Sequence, residues 1–439
     1  MNPLKIKDNA HQKKEVFSDI RTLVGKIADK TLAQLEREGV FVFPEIFKTA
    51  EDLKQNQMIL QSVNAAYRSG NVMGFLGWGD ERLIIESRFS GEKEDYFFQY
   101  LMERVLKFPN IVDLKFDANQ DQRLFHFLLF LFPHYLKTSM RKGLFKQYIR
   151  HLYNDGNVKG SIDIARHIEK NTPFMGRVAY SQRSFSYDND LTELVRHTIE
   201  FIKGKPNGRK ILDKVKDEVK LILEATPKYN PYDRPRILKE NQKNAVRHAY
   251  YREYLALQRL CILLLRHQKH QLGSGGKQIY GILFDGAWLW EEYVYSLIKN
   301  TFYHPNNRIG KETQHLFDDD IGPIYPDFIS KDTESRMIAD AKYKPIKNIN
   351  HRDYLQVLAY MFRFDAKVGY YLYPEAKESS DLKLWMNRGS TYEHDVTPRK
   401  DIRLTKHGLR IPSDATDYDD FKKKMEERER EFVKAFSEA

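Results

Sequence analysis

Apolar residues recur at helical spacing from Val16 to Glu38 (Val16, Ile20, Leu23, Val24, Ile27, Leu32, Leu35). They then give way to the run Val40-Phe-Val-Phe-Pro44, a pattern that predicts a helix followed by a strand. From Val72 to Phe89 the glycines Gly74, Gly77 and Gly79 punctuate apolar stretches, and Arg82-Leu-Ile-Ile-Glu-Ser-Arg-Phe89 reads as the second arm of a hairpin. Between about 95 and 270 the period is helical, over Tyr96 to Leu106, Leu124 to Tyr135, Asp190 to Lys203, Lys210 to Ala225 and Ala245 to His267. One interruption, Tyr153-Asn-Asp-Gly-Asn-Val-Lys-Gly-Ser-Ile-Asp163, combines turn residues with a strand-like piece.

A glycine-rich stretch, Gly273-Ser-Gly-Gly-Lys277, follows the last of these helices and reads as a flexible joint. It lacks the spacing with which a phosphate-binding loop wraps its backbone amides around a nucleotide. Beyond it come a helix (Ala287 to Lys299), a hairpin (Ile324 to Tyr343), a helix (Asp353 to Phe364), a strand (Lys367 to Tyr373) and a charged amphipathic helix (Asp417 to Phe436). The expected class is α+β with three domains: an N-terminal α+β domain over 1–95, a mainly helical middle domain over 96–272, and an α/β domain with a mixed central sheet over 273–439.

The 439 residues are 41% hydrophobic and 13% aromatic, enough apolar material to build packed cores, so extended disorder is excluded. The longest apolar runs, Phe127 to Phe132 and Leu260 to Leu265, fall far short of the roughly 20 residues that span a bilayer, and the N-terminal segment does not resemble a secretory signal. A cytoplasmic location without membrane contact is expected. The single cysteine, Cys261, sits in an apolar helical stretch and reads as core packing. A formal charge of +11 favours a polyanionic partner. Basic and aromatic residues over Met140 to Tyr153 suit a phosphate backbone, but a solvated helix face is the favoured reading there. His267 and His270 have no third metal ligand beside them in the sequence.

Chemistry concentrates between Ile324 and Lys344. If both halves of this stretch are strands, side chains two apart share a face, so Asp340 and Lys342 project together. Closing the hairpin over the intervening six polar residues brings Asp327 toward Asp340. Two carboxylates, with the backbone carbonyl of Ala341, form an oxygen-only set suited to Mg²⁺, with Mn²⁺ as a substitute. Lys342 is then placed to orient or deprotonate an attacking water. The tripeptide acidic-x-Lys occurs eight times in the chain, yet only Asp340-Ala-Lys342 has a Pro-Asp upstream, at Pro326-Asp327. The competing reading of Asp340 and Lys342 is a surface cross-strand ion pair.

This order resembles the PD-(D/E)xK nuclease motif. The resemblance extends to Glu291 on the preceding helix, as a third acid better placed than Glu292, and to Gln356 and Tyr360, which are similar to the Q-x-x-x-Y element of RecB-like members. Solvated or structural roles for Glu291, Gln356 and Tyr360 remain open at this level. Gly281 to Val294, Tyr325-Pro-Asp-Phe-Ile329 and Asp340-Ala-Lys-Tyr-Lys344 resemble the McrC-type nuclease subunit of McrBC and LlaJI-like restriction systems. A looser likeness runs upstream through Val72-Met-Gly-Phe-Leu-Gly, Asp155 to Asp163 and Tyr187 to Leu191. The resemblance implies a Mg²⁺-dependent endonuclease subunit that acts on double-stranded DNA, binds no nucleotide itself and works in a hetero-oligomer. Its partner would be a McrB-type AAA+ GTPase, docked through the N-terminal region, whose GTP hydrolysis it stimulates. A non-catalytic activator of an AAA+ ring and a self-sufficient RecB-like repair nuclease are the alternatives.

Overall fold

The structure is a computed structural model that describes residues 3–38, 40–43, 57–91, 95–106, 120–205, 207–271, 279–305, 314–376, 381–389 and 396–436. The architecture is mixed α+β with several sheets. Contacts divide the chain into two compact units, one formed by Met1–Asp117 with Lys277–Ala439 and the other by Ala118–Gly276.

In the first unit a five-stranded sheet runs in the order Leu4–Lys7, Glu81–Glu86, Val72–Trp78, Tyr280–Asp285, Val40–Phe43. The hairpin expected after Val72 is present, with Trp78 opposite Glu81 and Gly79 at φ +55° in its turn. Tyr280–Asp285 corrects the boundary placed at 273: it lies beyond that boundary, yet it is hydrogen-bonded between the two N-terminal strands Val72–Trp78 and Val40–Phe43. Two glycines make this insertion possible. A Cβ on Gly74 would stand 2.1 Å from the Ile282 carbonyl oxygen, and one on Gly281 would stand 2.2 Å from that of Phe75.

The single helix expected over Val16–Glu38 is three pieces, a 3-10 turn Lys14–Ile20 and helices Arg21–Ile27 and Leu32–Arg37. The break falls at Asp29, whose φ is +58°, and Thr31 opens the last piece through a capping box with Gln34. Leu23, Val24, Ile27, Leu32 and Leu35 still pack together with Val40 and Leu76, so the apolar stripe survives the breaks.

A six-stranded mixed sheet forms the other half of this unit, in the order Phe302–Tyr303, Phe328–Ser330, Met337–Ala341, Val368–Glu375, Val396–Arg410, Leu382–Gly389. The central strand Met337–Ala341 is antiparallel to Phe328–Ser330 and parallel to Val368–Glu375. Ile338, Tyr371 and Leu404 on one face pack with Val357, Tyr360 and Met361 of helix His351–Arg363. The last pair of strands has no counterpart among the expected elements. Leu382–Gly389 is largely exposed on both faces, so no alternation of apolar and polar positions marks it.

Helix Tyr418–Lys434 is pinned by buried acids. Glu429 accepts from the hydroxyls of Tyr100 (2.7 Å) and Tyr293 (2.6 Å) and from Arg104 (2.6 Å). Glu103 accepts from Tyr418 (2.6 Å) and Lys422 (3.0 Å). These contacts join the C-terminal helix to Tyr96–Leu106 and Gly286–Ile298. Among the described residues no helix is long and apolar enough to cross a membrane.

The second unit combines helices with a three-stranded antiparallel sheet, Gln147–Asp155, Val178–Ser186 and Ser161–Ile162. The segment Met140 to Tyr153, favoured above as a helix face, ends a helix at Met140 and is strand from Gln147 onward. The helix expected over Lys210–Ala225 divides into Gly208–Asp213 and Lys216–Ala225, and the one expected from Ala245 begins only at Tyr254. Cys261 is fully buried in that last helix, and burial pushes its thiol up to about 12. The Gly273–Lys277 joint and the side chains of His267 and His270 lie outside the described residues.

Candidate active site

The hairpin register decides the geometry of the acidic cluster. Phe328 pairs with Ala339 and Ile329 with Ile338. Continued by one residue, the same register sets Asp327 opposite Asp340, and directly opposed residues of an antiparallel pair point to one face. The backbone N–H of Ala341 donates to Asp327 Oδ2 at 2.8 Å, which closes the end of the hairpin around the carboxylate. Ala341, expected to offer its carbonyl, thus also anchors Asp327 through its N–H.

Asp340 is 1% exposed in the middle of the sheet. Lys342, two residues on, turns to the same side, and its Nζ lies 2.7 Å from Asp340 Oδ2. Behind them, Tyr371 stands beside Asp340 in the parallel register and donates its hydroxyl to the Asp353 carbonyl at 2.8 Å. Helix His351–Arg363 closes the site from above. Its Gln356 accepts from Lys342 Nζ at 3.4 Å and donates to the Tyr360 hydroxyl at 2.8 Å. Asp353, in the first turn of the same helix, completes a capping box with Asn350 and holds Lys344 at 2.8 Å.

Glu291 sits midway along helix Gly286–Ile298 with its side chain 14% exposed, and its Oε1 lies 3.4 Å from His304 Nε2. The other ring nitrogen of His304, Nδ1, donates to the Asp327 carbonyl oxygen at 2.7 Å. The structure therefore gathers Asp327, Asp340, Lys342, Gln356 and Tyr360 at one end of two paired strands, with Glu291 reaching them through His304. His304 and Tyr371 are the two members that the sequence pattern did not single out. Neither lies in a recognisable spacing, and the one signal for His304 is its place directly after the short apolar strand Phe302–Tyr303.

Electrostatics tie the cluster together. Burial raises the Asp327 carboxyl well above the ordinary carboxylate range, and the charges of Asp340 and Glu291 raise it further, against the opposing pull of Lys342 and the Ala341 N–H. Burial works the other way on the Lys342 ammonium, but the carboxylates of Asp340 and Asp327 outweigh it and hold the group above its usual value. Lys342 is consequently a cation near neutral pH. Tyr360 is pushed up to about 12, chiefly by burial.

Among the described residues, no three His, Cys, Asp or Glu side chains converge closely enough to hold an ion as they lie. Lys342 sits on Asp340, and Glu291 faces His304. The donor set nevertheless fits a hard divalent cation. It is made of oxygens alone, it is largely buried, and three carboxylates outnumber one ammonium, with Asp340 and Glu291 adding to the burial that raises the Asp327 carboxyl.

Two acids opposed on neighbouring strands, with a lysine two residues past the second, define an acid-acid-lysine site on an α+β scaffold. The chain belongs to the McrBC 5-methylcytosine restriction system component family, whose model matches residues 67–374 and so includes every residue of this cluster. Among solved structures, a chain of the refined half-complex from the tetradecameric assembly of Thermococcus gammatolerans McrB AAA+ hexamers with bound McrC is 13% identical, with a TM-score of 0.47. The likeness covers 99% of this chain and 100% of that one. A chain of the Thermococcus gammatolerans McrBC complex is 12% identical over 69% of this chain and 90% of that one, with a TM-score of 0.32. No curated protein matches.

Proposed function

We propose that this chain is a McrC-type subunit, the Mg²⁺-dependent DNA endonuclease of a GTP-driven restriction system, in which cleavage of double-stranded DNA is coupled to an AAA+ GTPase of the McrB type. One arrangement carries this reading: the register that pairs Phe328 with Ala339, continued by one residue, opposes Asp327 to Asp340, and the Lys342 ammonium lies 2.7 Å from Asp340. Membership of the McrBC family supports it.

Asp327, Asp340 and Glu291 are the residues that would hold Mg²⁺, or Mn²⁺ in its place, with the Ala341 carbonyl as a further oxygen donor. A divalent ion bound there supplies charge against the scissile phosphate and makes water more acidic. Lys342, with its Nζ 2.7 Å from Asp340, is placed to donate hydrogen bonds to the incoming water or the phosphate oxygens, or to take the water's proton. Gln356 orients that ammonium, and Tyr360 orients Gln356. In this reading the sheet from Phe302 onward, with helices Gly286–Ile298 and His351–Arg363, is the PD-(D/E)xK nuclease module. The N-terminal part, 1–95, is the candidate contact to the motor partner, and the chain stimulates the partner's GTP hydrolysis.

The test combines the chain, its GTPase partner, GTP, Mg²⁺ and both methylated and unmethylated duplex DNA. Asp340→Ala is expected to abolish strand cleavage while leaving stimulation of GTP hydrolysis intact. Cleavage by Asp340→Ala at the wild-type rate refutes the site, and stimulation without any wild-type cleavage favours the activator reading.

A further inference from the structure

We infer that His304 is a positioning residue for the acid cluster: its imidazole links the main chain of Asp327 to the carboxylate of Glu291 and so sets how the two acids face each other. The inference rests on the endonuclease reading and deepens it. Its basis is geometric. Glu291 is on helix Gly286–Ile298, His304 follows the strand Phe302–Tyr303, and Asp327 heads the strand Phe328–Ser330, so three separate elements meet at one ring.

A carbonyl oxygen only accepts, so Nδ1, 2.7 Å from the Asp327 oxygen, carries a hydrogen. Nε2 is then the atom presented to Glu291 Oε1, at 3.4 Å, and since a carboxylate also only accepts, the ring bridges the two when Nε2 carries a hydrogen as well. The ring has little freedom to leave this place. Its centroid is 5.0 Å from that of Tyr295 and 5.2 Å from that of Phe328, and those two rings are themselves nearly parallel, at 10°. The His304 side chain is 16% exposed. An outer partner that fixes the direction of a ligating carboxylate typically changes metal affinity by about 10- to 100-fold.

The test is calorimetric titration of the full-length chain with MnCl2, which reads binding without cleavage. His304→Ala is expected to weaken Mn²⁺ binding about tenfold or more. His304→Asn, which returns a donor near the Nδ1 position, should recover most of that loss, whereas His304→Gln, whose amide lies nearer the Nε2 position, should recover less. Binding by His304→Ala within about twofold of wild type overturns the inference, as does equal recovery by Asn and Gln, which marks a packing role. If circular dichroism shows that His304→Ala does not fold, the contrast between Asn and Gln decides alone. Mn²⁺ binding that is lost in Asp340→Ala but unchanged in His304→Ala overturns this inference and leaves the endonuclease reading standing. Failure of the wild-type chain to bind Mn²⁺ overturns both.

Discussion

Lys342→Met removes one charge from the cluster while keeping most of the side-chain stem, and the consequences follow from two distances. Lys342 Nζ is 2.7 Å from Asp340 Oδ2 and 3.4 Å from Gln356 Oε1. With an effective dielectric constant near 20, a pair at that separation attracts by about 6 kcal/mol before desolvation is charged against it. Asp340 is 1% exposed and Lys342 only partly so, so the variant leaves a buried carboxylate without its cation, a change that costs about 3–5 kcal/mol at the upper end. All four tryptophans, Trp78, Trp288, Trp290 and Trp385, lie in the unit that carries the site, so tryptophan fluorescence during urea unfolding reports that unit.

Two outcomes are expected together. Stability falls by a few kcal/mol, and the single-turnover rate of DNA cleavage with partner, GTP and Mg²⁺ drops by about 10²- to 10³-fold, the usual loss when one preorganised donor is removed. Mg²⁺ should stabilise the variant more than the wild type, because the cation then neutralises an acid that Lys342 otherwise pairs. Cleavage within about threefold of wild type, or an unchanged urea midpoint, refutes the electrostatic account of the site.

Asp327→Asn is expected to stabilise the protein at neutral pH. Its folded-state carboxyl is raised by burial and by Asp340 and Glu291, so ionisation costs the fold nothing in strong acid and progressively more as pH climbs above the ordinary carboxylate range. The gain should therefore be seen in urea titrations at pH 8 and vanish near pH 3. Glu429→Ala leaves the buried hydroxyls of Tyr100 and Tyr293 without their acceptor and Arg104 without its partner, for a loss of about 3–5 kcal/mol by the same fluorescence measurement. His197, 0% exposed in helix Asp190–Lys203, is lowered to about 4 by burial and by Arg234. Its contribution is complete above the unfolded value near 6.5 and is lost as pH falls toward 4, a change of about 3 kcal/mol. His197→Leu should flatten that acid limb in chemical denaturation followed by circular dichroism.

Much of the scaffold is legible in the residues because local periodicity and burial agree. Tyr96–Leu106, Asp190–Lys203 and the helix that carries Gln356 and Tyr360 follow their apolar stripes nearly to the residue. Legibility ends where a long-range partner overrides the local pattern. The second half of Met140 to Tyr153 has helical character alone but forms a strand because Val178–Ser186 pairs with Gln147–Asp155 along nine positions. Tyr280–Asp285 reads as the start of a C-terminal module, yet its glycine-spaced backbone fits between two N-terminal strands.

The amino-acid order alone determined that Asp340 and Lys342 face the same way, since alternation along a strand is a property of the backbone, and it singled out Pro326-Asp327 as the one matching partner. Whether that partner arrives was decided by tertiary structure, because the register of a hairpin depends on which strands bury which faces. His304 belongs wholly to the folded chain. Its ring touches residues 13 positions before it and 23 after it, and only the packing of a helix, a strand end and a hairpin creates the place where the Glu291 carboxylate and the Asp327 main chain meet one imidazole.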